Sequence, residues 1–372
     1  MWAEAMSDPV TVTFLRDRKH GGDAFQAKAV ADQLAAFVEA ATSSVDVAIY
    51  DFRLADPGLI STVIGALTAA ANRGVTVRIG YDAGKPPVAT AQTFAALQAD
   101  PAPPGTGAFL RGQLGGTAVL LQPIKAGGQL MHSKYVVRDA ASAKAAVWTG
   151  SANFTDDAWN RQENNVITIA SHAVATAYRT DFDQMWATGT ISGTGKGDVG
   201  HTHVGGHNVA WDFCPGDGPA VNKALAARVA KARTRLVVAS MVLTSHEVLA
   251  ALAGAVDRGV PLSGIYDSGQ MDPIVREWRQ NPKDTAVVAD WEKVSAHLGH
   301  KRSQPYTPTG THNFMHLKVL LADDVVTTGS YNFSANAEHN AENQLHVNDP
   351  ATVSAYADFL DTVIAAYPHP VM

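Results

Sequence analysis

Two short segments of the chain set the same residue types at the same spacing. Met131-His132-Ser133-Lys134 is followed by Asp139, and Met315-His316-Leu317-Lys318 is followed by Asp323, so each copy reads H-x-K-x4-D. Downstream lie Gly150-Ser151-x-Asn153 and Gly329-Ser330-x-Asn332. Glu163 stands ten residues beyond Asn153, and Glu342 ten beyond Asn332. One short motif carries a high false-positive risk, whereas two at equivalent positions of a repeat support each other.

Strand geometry gives the spacing a chemical meaning. Residues 134–137 and 318–321 read as strands, and residues i and i+2 of a strand share a face. His132 then projects with Lys134, and His316 with Lys318. Two such strands side by side gather two imidazoles and two ammonium groups, a constellation suited to phosphoryl transfer. One imidazole can attack phosphorus while the other protonates the leaving oxygen. The lysines neutralise charge growing on the non-bridging oxygens. The hydroxyls of Ser151 and Ser330 and the amides of Asn153 and Asn332 can donate to phosphate oxygens. Glu163 and Glu342 can each accept the proton on the far imidazole nitrogen, fixing the tautomer and raising basicity. Because the cations are built into the protein, neither a metal nor another cofactor is expected.

The elements that must position these groups also come twice. Residues 73–82 (RGVTVRIGYD) resemble 258–267 (RGVPLSGIYD) at an offset of 185, and the H-x-K segments match at 184. The Gly-Ser-x-Asn segments match at 179, so the first copy carries a few extra residues near 140–144. Within each copy helical and strand signals alternate. Asp23 with Gln26 resembles a capping box, and Val30, Leu34, Phe37, Val38 and Ala41 recur at helical spacing. Residues 45–50 and 75–81 read as strands, with a helix over 59–73 stopped by Gly74. The second copy repeats this with 236–240, 247–258, Gly259 and 262–266. Alternation of this kind indicates an α/β sandwich. The expected units are 1–190 and 207–372, joined by a Gly-rich linker over 191–206.

Composition narrows the classes further. The chain has 372 residues, 46% hydrophobic and 17% charged, with a formal net charge of −6. That is a globular chain of two to three domains by length, not a disordered one. No apolar run is long enough for a membrane-spanning helix. The single cysteine, Cys214, excludes an internal disulfide framework and reads as a buried small residue. His201, His203 and His207 fall in the Gly-rich stretch and are read as part of a flexible loop rather than as a metal cluster. The N-terminal residues lack the basic and apolar regions of a secretory signal. The default expectation is a cytoplasmic protein, with secretion open if a signal was removed upstream.

On the twin H-x-K-x4-D motifs, each followed by Gly-Ser-x-Asn, the chain resembles the phospholipase D superfamily, with some likeness to its bacterial nuclease branch. The resemblance implies two α-β-α sandwich units related by a pseudo-twofold axis around one shared active site, with a covalent phosphohistidine intermediate. It makes His132 and His316 the catalytic histidines, with His132 favoured as nucleophile and His316 as general acid. It assigns Lys134, Lys318, Asn153 and Asn332 to the phosphate, with Ser151 and Ser330 beside them, and Glu163 and Glu342 to the histidines. It implies a structural role for Asp139 and Asp323.

Three functions follow: a phospholipase D acting on phospholipid head groups, with hydrolysis or transphosphatidylation; a nuclease cutting DNA or RNA; and a phosphate-binding relative without catalysis. The intact residues disfavour the last. Nucleic-acid affinity requires many Lys and Arg contacts, so the acidic balance tilts the reading slightly toward lipid. Both motifs in one chain make a monomer sufficient. Segments holding Phe94, Pro103, Pro104, Phe109 and Leu110 in one copy, and Trp278, Trp291 and Tyr306 in the other, are candidates for an apolar cleft mouth or for ordinary core.

Overall fold

The computed structural model describes residues 9–84, 105–196, 198–307 and 310–367. Strands of the first unit are β1 (Val10–Leu15), β2 (Ser44–Ile49), β3 (Phe52–Arg53), β4 (Thr76–Asp82), β5 (Leu120–Ile124), β6 (Lys134–Arg138), β7 (Ala146–Gly150), β8 (Phe154–Thr155) and β9 (Asn164–Ile169). Seven of them form a sheet in the order β1-β9-β7-β6-β2-β4-β5, while β3 and β8 pair separately. The second unit contributes β10 (Gly200–Val204), β11 (His207–Cys214), β12 (Leu236–Ser240), β13 (Leu262–Asp267), β14 (Gly299–Lys301), β15 (Lys318–Ala322), β16 (Val325–Gly329) and β17 (Glu342–Val347). Its order is β10-β11-β17-β16-β15-β12-β13-β14. From β11 to β14 this repeats the first sheet strand for strand, so the fold is α/β with two tandem units of similar size.

Local chemistry explains the helices between these strands. The helix Pro57–Asn72 starts at Asp56, whose carboxylate accepts from the Gly58 and Leu59 amides, with Pro57 in the first turn. It stops before Gly74, at φ 88°. In the second unit Ser245 accepts from the Val248 amide to cap His246–Asp257, and Gly259 at φ 76° follows. The Asp23–Gln26 capping box is not formed. Asp23 accepts instead from the Phe25 amide, and the Gln26 side chain binds the Arg16 backbone and the Trp159 carbonyl.

Both faces of each sheet are covered, which is why the central strands read as continuous apolar runs. On the outer face of the first sheet, Leu34, Val38, Val63 and Leu67 from two helices pack on Val45, Val47, Ile79 and Val136. The opposite face carries Tyr135 and Val137, alternating with Val136 as strand geometry requires. These belong to one cluster shared by the two sheets, which holds Ile167, Leu321 and Leu345 together with Tyr178, Phe182, Tyr356 and Leu360. The last four come from the helices His172–Thr188 and Pro350–Ala366, so one core spans both units.

The sequence-based linker needs correction. Residues 200–204 are β10, the edge of the second sheet, paired antiparallel to β11. Val204 faces His207 across Gly205 and Gly206, at φ 58° and 88°. Two successive positive φ values are what a two-residue type I′ hairpin needs. The Gly-Gly pair between two short runs is the signal that composition alone conceals. His201 and His203 are exposed on this strand rather than in a flexible loop, and His207 Nε2 lies 3.4 Å from Asp349. Trp278 and Trp291 are core residues of the second unit, and Leu110 is core in the first. Phe94, Pro103 and Pro104 lie outside the described residues. Cys214 is buried, and burial pushes its thiol pKa up. Among the described residues no helix is long and apolar enough to cross a membrane.

Candidate active site

The two H-x-K segments enter the two sheets at corresponding places. Lys134 opens β6, paired with Ile49, and Lys318 opens β15, paired with Ser240. Just before them the units cross. Met131 bridges Ala341 and Met315 bridges Glu163, both in parallel. The His132 amide donates to the Ala341 carbonyl at 2.9 Å, and the His316 amide donates to the Glu163 carbonyl at 3.2 Å. Each histidine is therefore held by backbone of the opposite unit, which brings both motifs to one locus. Each lysine Nζ donates to the carbonyl of its own histidine, Lys134 at 2.6 Å and Lys318 at 2.7 Å. All four side chains are buried.

The imidazole partners differ. His132 Nδ1 lies 2.9 Å from Glu342 Oε2, across the unit boundary. His316 Nδ1 lies 3.0 Å from Asn164 Oδ1, also across the boundary. The amide orientation is fixed by its other contacts. Asn164 Nδ2 donates to the Ala158 carbonyl at 3.0 Å, so Oδ1 is the atom that meets the ring and His316 donates from Nδ1. In both histidines the acceptor at Nδ1 favours the tautomer protonated there, which leaves the lone pair on Nε2.

Glu163 is thus not the partner of His316, which corrects the sequence-based assignment. The spacing argument matched Glu163 to Glu342. The ladders instead pair Gly150 with Val166 and Gly329 with Gln344, so the first connection is one residue longer. It contains a short helix, Asp156–Asn160, where the second unit has the 3-10 turn Asn336–His339. Asn164 is the counterpart of Glu342, and Glu163 of Ala341. A one-residue shift along a strand sends a side chain to the other face. The Glu163 carboxylate points into a separate cluster, 2.8 Å from Lys301 Nζ.

Ser151 and Ser330 are also reassigned. Ser151 Oγ donates to Asn164 Oδ1 at 2.8 Å, and Ser330 Oγ donates to Glu342 Oε2 at 2.6 Å. Each hydroxyl accepts from a backbone amide as well, of Asn165 and Asn343 respectively. Their protons are spent on the acceptors that orient the rings, rather than being directed at phosphate. Asn153 and Asn332 each have a buried Oδ1 without a protein partner. Asp139 and Asp323 stand away from the reacting groups and tie loops. Both adopt φ 51°. Asp139 accepts from the amides of Thr42, Ser43 and Ser44, and Asp323 from those of Arg233, Thr234 and Arg235. Burial opposes ionisation, but these amides and the neighbouring hydroxyls hold both carboxyls at a pKa of about 2.

Further residues matter that spacing did not single out. Asp82 Oδ2 accepts from the Met131 amide at 2.7 Å and Asp267 Oδ2 from the Met315 amide at 2.9 Å, so a carboxylate pins the residue before each histidine. Both close the repeated Tyr-Asp of residues 73–82 and 258–267, a signal present in the repeat itself. The Tyr50 ring meets the His132 ring edge-on at 4.9 Å, with Lys134 Nζ 5.1 Å from its centroid.

Electrostatics follow from burying cations together. Burial, opposed by Glu342 and reinforced by Lys134, pushes His132 down to a pKa of about 4. Burial, Lys318, Lys134 and His132 push His316 well below its ordinary value. Burial and Lys134 likewise depress Lys318. Glu342 is lowered despite its burial, because His132 and Lys134 favour its charged form. The arrangement gathers two lysines and two imidazoles whose cationic forms burial and mutual repulsion disfavour, so an anion among them would be stabilised and would raise their basicity.

The chain matches the family model described as cardiolipin synthase, PLD-like domain, over residues 34–186 and 225–364. Among solved structures, phosphatidylserine synthase of Haemophilus influenzae matches with a TM-score of 0.61 at 12% identity, covering 95% of this chain and 86% of that one. Polyphosphate kinase of Porphyromonas gingivalis matches with a TM-score of 0.57 at 12% identity over 95% of this chain, which spans 50% of the kinase. The phospholipase D family member Nuc of Salmonella typhimurium covers 43% of this chain and 95% of its own, at 21% identity and a TM-score of 0.32. No curated protein sequence matches the chain.

Proposed function

Because the chain belongs to the phospholipase D-like family, whose model spans both of its units, we propose that it is a phosphodiester hydrolase. It works through a phosphohistidine on His132, with a phospholipid head-group ester as substrate. The observation that carries the reading is the His132–Glu342 contact across the unit boundary. An imidazole phosphorylated on Nε2 while protonated on Nδ1 is a cation, and among the described residues a carboxylate stands at the Nδ1 of His132 and an amide at that of His316.

The substrate phosphate enters between Lys134 and Lys318, and Asn153 and Asn332 donate to its oxygens. His132 Nε2 attacks phosphorus, the P–N bond forms and the head-group P–O bond breaks. His316, protonated once the anion offsets the lysines, passes its Nε2 proton to the leaving oxygen. Without a carboxylate partner His316 is the stronger acid of the two, as that step needs. Neutral His316 then takes a proton from water, or from an alcohol in transphosphatidylation. The resulting oxygen attacks phosphorus and expels His132. The net charge of −6 and the naming of the matched family for a cardiolipin synthase support a lipid diester over a polyanion.

The test is turnover in EDTA on phosphatidylcholine vesicles beside single-stranded DNA, with His132→Ala as control. Head-group release that the substitution abolishes is expected. DNA cleavage alone, sensitive to the same substitution, overturns the lipid assignment and makes the protein a nuclease.

A further inference from the structure

Beside the His316 half of the site lies a cluster of ionised groups almost wholly closed to water. Lys301 and Asp17 are each 2% exposed, and Glu163 is fully buried. Lys301 Nζ uses all three of its protons: on Glu163 Oε2 at 2.8 Å, on Asp17 Oδ2 at 3.0 Å and on the Arg161 carbonyl at 2.9 Å. The second carboxylate oxygen, Glu163 Oε1, accepts from the Tyr367 hydroxyl and from the Asp17 amide at 3.2 Å. Asp17 Oδ1 accepts from the Lys19 amide at 2.9 Å, and His20 Nδ1 lies 3.3 Å from Asp17 Oδ2. The members come from four places: the turn after β1, the residue before β9, the edge strand β14 of the other unit, and the end of the C-terminal helix. Ionised groups this deep are costly unless paired and hydrogen-bonded, and these are.

The position of the cluster gives it a consequence for the histidine. The backbone carbonyl of Glu163 holds the His316 amide, and the next residue, Asn164, holds the His316 ring. Among the described residues the other half has no such ionic cluster. There the counterpart of Glu163 is Ala341, and Glu342 is held by Ser330 and by Asn340 Nδ2 at 3.1 Å. A slip of one residue at the start of β9 would set a carboxylate instead of an amide against His316. It would also strand Lys301 without its partner. We propose that Lys301 is a positioning residue for His316, acting through Glu163, and that this buried cluster holds the register in which Asn164 meets the ring. The proposal rests on the reading of His316 as a reacting group only for its effect on turnover.

The test uses the full chain labelled with 15N-histidine and follows the His316 ring by NMR across pH, the signal being assigned by its loss in His316→Ala. Charged and titratable groups facing that ring are Lys318 on its own strand and Lys134 and His132 from the other unit. Those facing the cluster are His20, Arg16 and Asp267. In the wild type a single Nδ1-protonated tautomer is expected. Lys301→Met leaves the Glu163 carboxylate without its ion pair, which frees the start of β9 to slip by one residue and bring that carboxylate to the ring. The His316 titration is then expected to move to higher pH and its tautomers to mix, while His132 keeps its own signal. Turnover should fall about ten- to hundredfold in kcat with KM little changed. Lys301→Met combined with Glu163→Gln removes the pair nearest β9, leaves Asp17 as the remaining carboxylate of the cluster, and should restore the His316 titration. Tyr367→Phe, which loosens Glu163 while leaving the ion pair, should shift His316 in the same direction by less. If Lys301→Met does not fold, Tyr367→Phe and the double variant carry the test. The proposal is overturned if Tyr367→Phe or Lys301→Met leaves the His316 signal unchanged, or if both histidines move together. Loss of all diesterase activity with the NMR response intact would instead sink the functional reading and leave the positioning role standing.

Discussion

The two halves of the molecule repeat one strand order, yet they hand their histidines different partners. The first half's His132 faces a carboxylate, Glu342; the second half's His316 faces an amide, Asn164. The serines behind these acceptors are equivalent, as are the lysines and the crossing backbone contacts. The difference arises from one extra residue between Gly150 and Val166 compared with Gly329 and Gln344. A duplicated fold can thus supply two equivalent histidine–lysine pairs and still set a carboxylate behind one ring and an amide behind the other, the difference on which the proposed division between nucleophile and acid rests.

That division can be broken or sharpened by substitution. The largest effect is expected for the histidines. His132→Ala and His316→Ala should each lower turnover on a natural diester by several orders of magnitude, because nucleophile and acid act as a unit. Near-wild-type steady-state rates in either variant would dissolve the shared site. Next comes the pair behind them. Glu342→Gln keeps the shape but removes the charge that would balance the proposed phosphohistidine, and should cost about 10³- to 10⁴-fold in kcat, by analogy with loss of a triad carboxylate. Asn164→Ala, which removes a neutral acceptor, should cost far less. Equal losses would mean that charge behind the ring is unimportant.

A smaller change tests the sign. Asn164→Asp places a carboxylate on His316 Nδ1, opposing the burial and the lysines that depress its pKa. His316 must be protonated to act as the acid. The alkaline limb of kcat/KM should therefore move to higher pH by about one unit, with the acid limb, set by His132 near pH 4, in place. A shift of the acid limb alone would exchange the two roles.

The smallest effect concerns the loop carboxylates. Asp139 and Asp323 have folded pKa values of about 2, below the ordinary 3.8. Their stabilisation is complete above pH 4 and is lost as pH falls toward 2. Asp139→Asn should lower stability by about 2–3 kcal/mol at pH 6, measured by urea unfolding, and the deficit should shrink at pH 3. Asp323→Asn, at a more exposed site, should show the same trend more weakly.

Much of this was legible in the residues. The repeat, the strand-helix alternation and the stops at Gly74 and Gly259 follow from local rules, and the structure carries them. His132, Lys134, His316 and Lys318 are brought together as the two-residue spacing on strands requires. What spacing could not reveal was register. Counting ten residues from each Asn assumes equal connections, but Asp156–Asn160 coils into a helix and uses one more residue than the turn at Asn336–His339. Because side chains alternate along a strand, that single residue exchanged Glu163 for Asn164. Asp82 and Asp267 were visible as repeated residues but not as ligands of Met131 and Met315, since their contacts join separate strands. The β10–β11 hairpin was hidden by its glycines, which resemble a linker in composition and serve as a tight turn in space.

The central claim, that His132 carries the covalent intermediate, is tested most directly by trapping it. His316→Ala should be mixed with a phosphatidyl ester of p-nitrophenol, a leaving group that needs no proton, then quenched within a turnover and mapped by mass spectrometry. A phosphatidyl adduct on the peptide containing His132 is predicted, forming with a burst of p-nitrophenol and decaying slowly. No adduct is predicted in His132→Ala. An adduct on His316 in His132→Ala, with none on His132 in His316→Ala, would contradict the account.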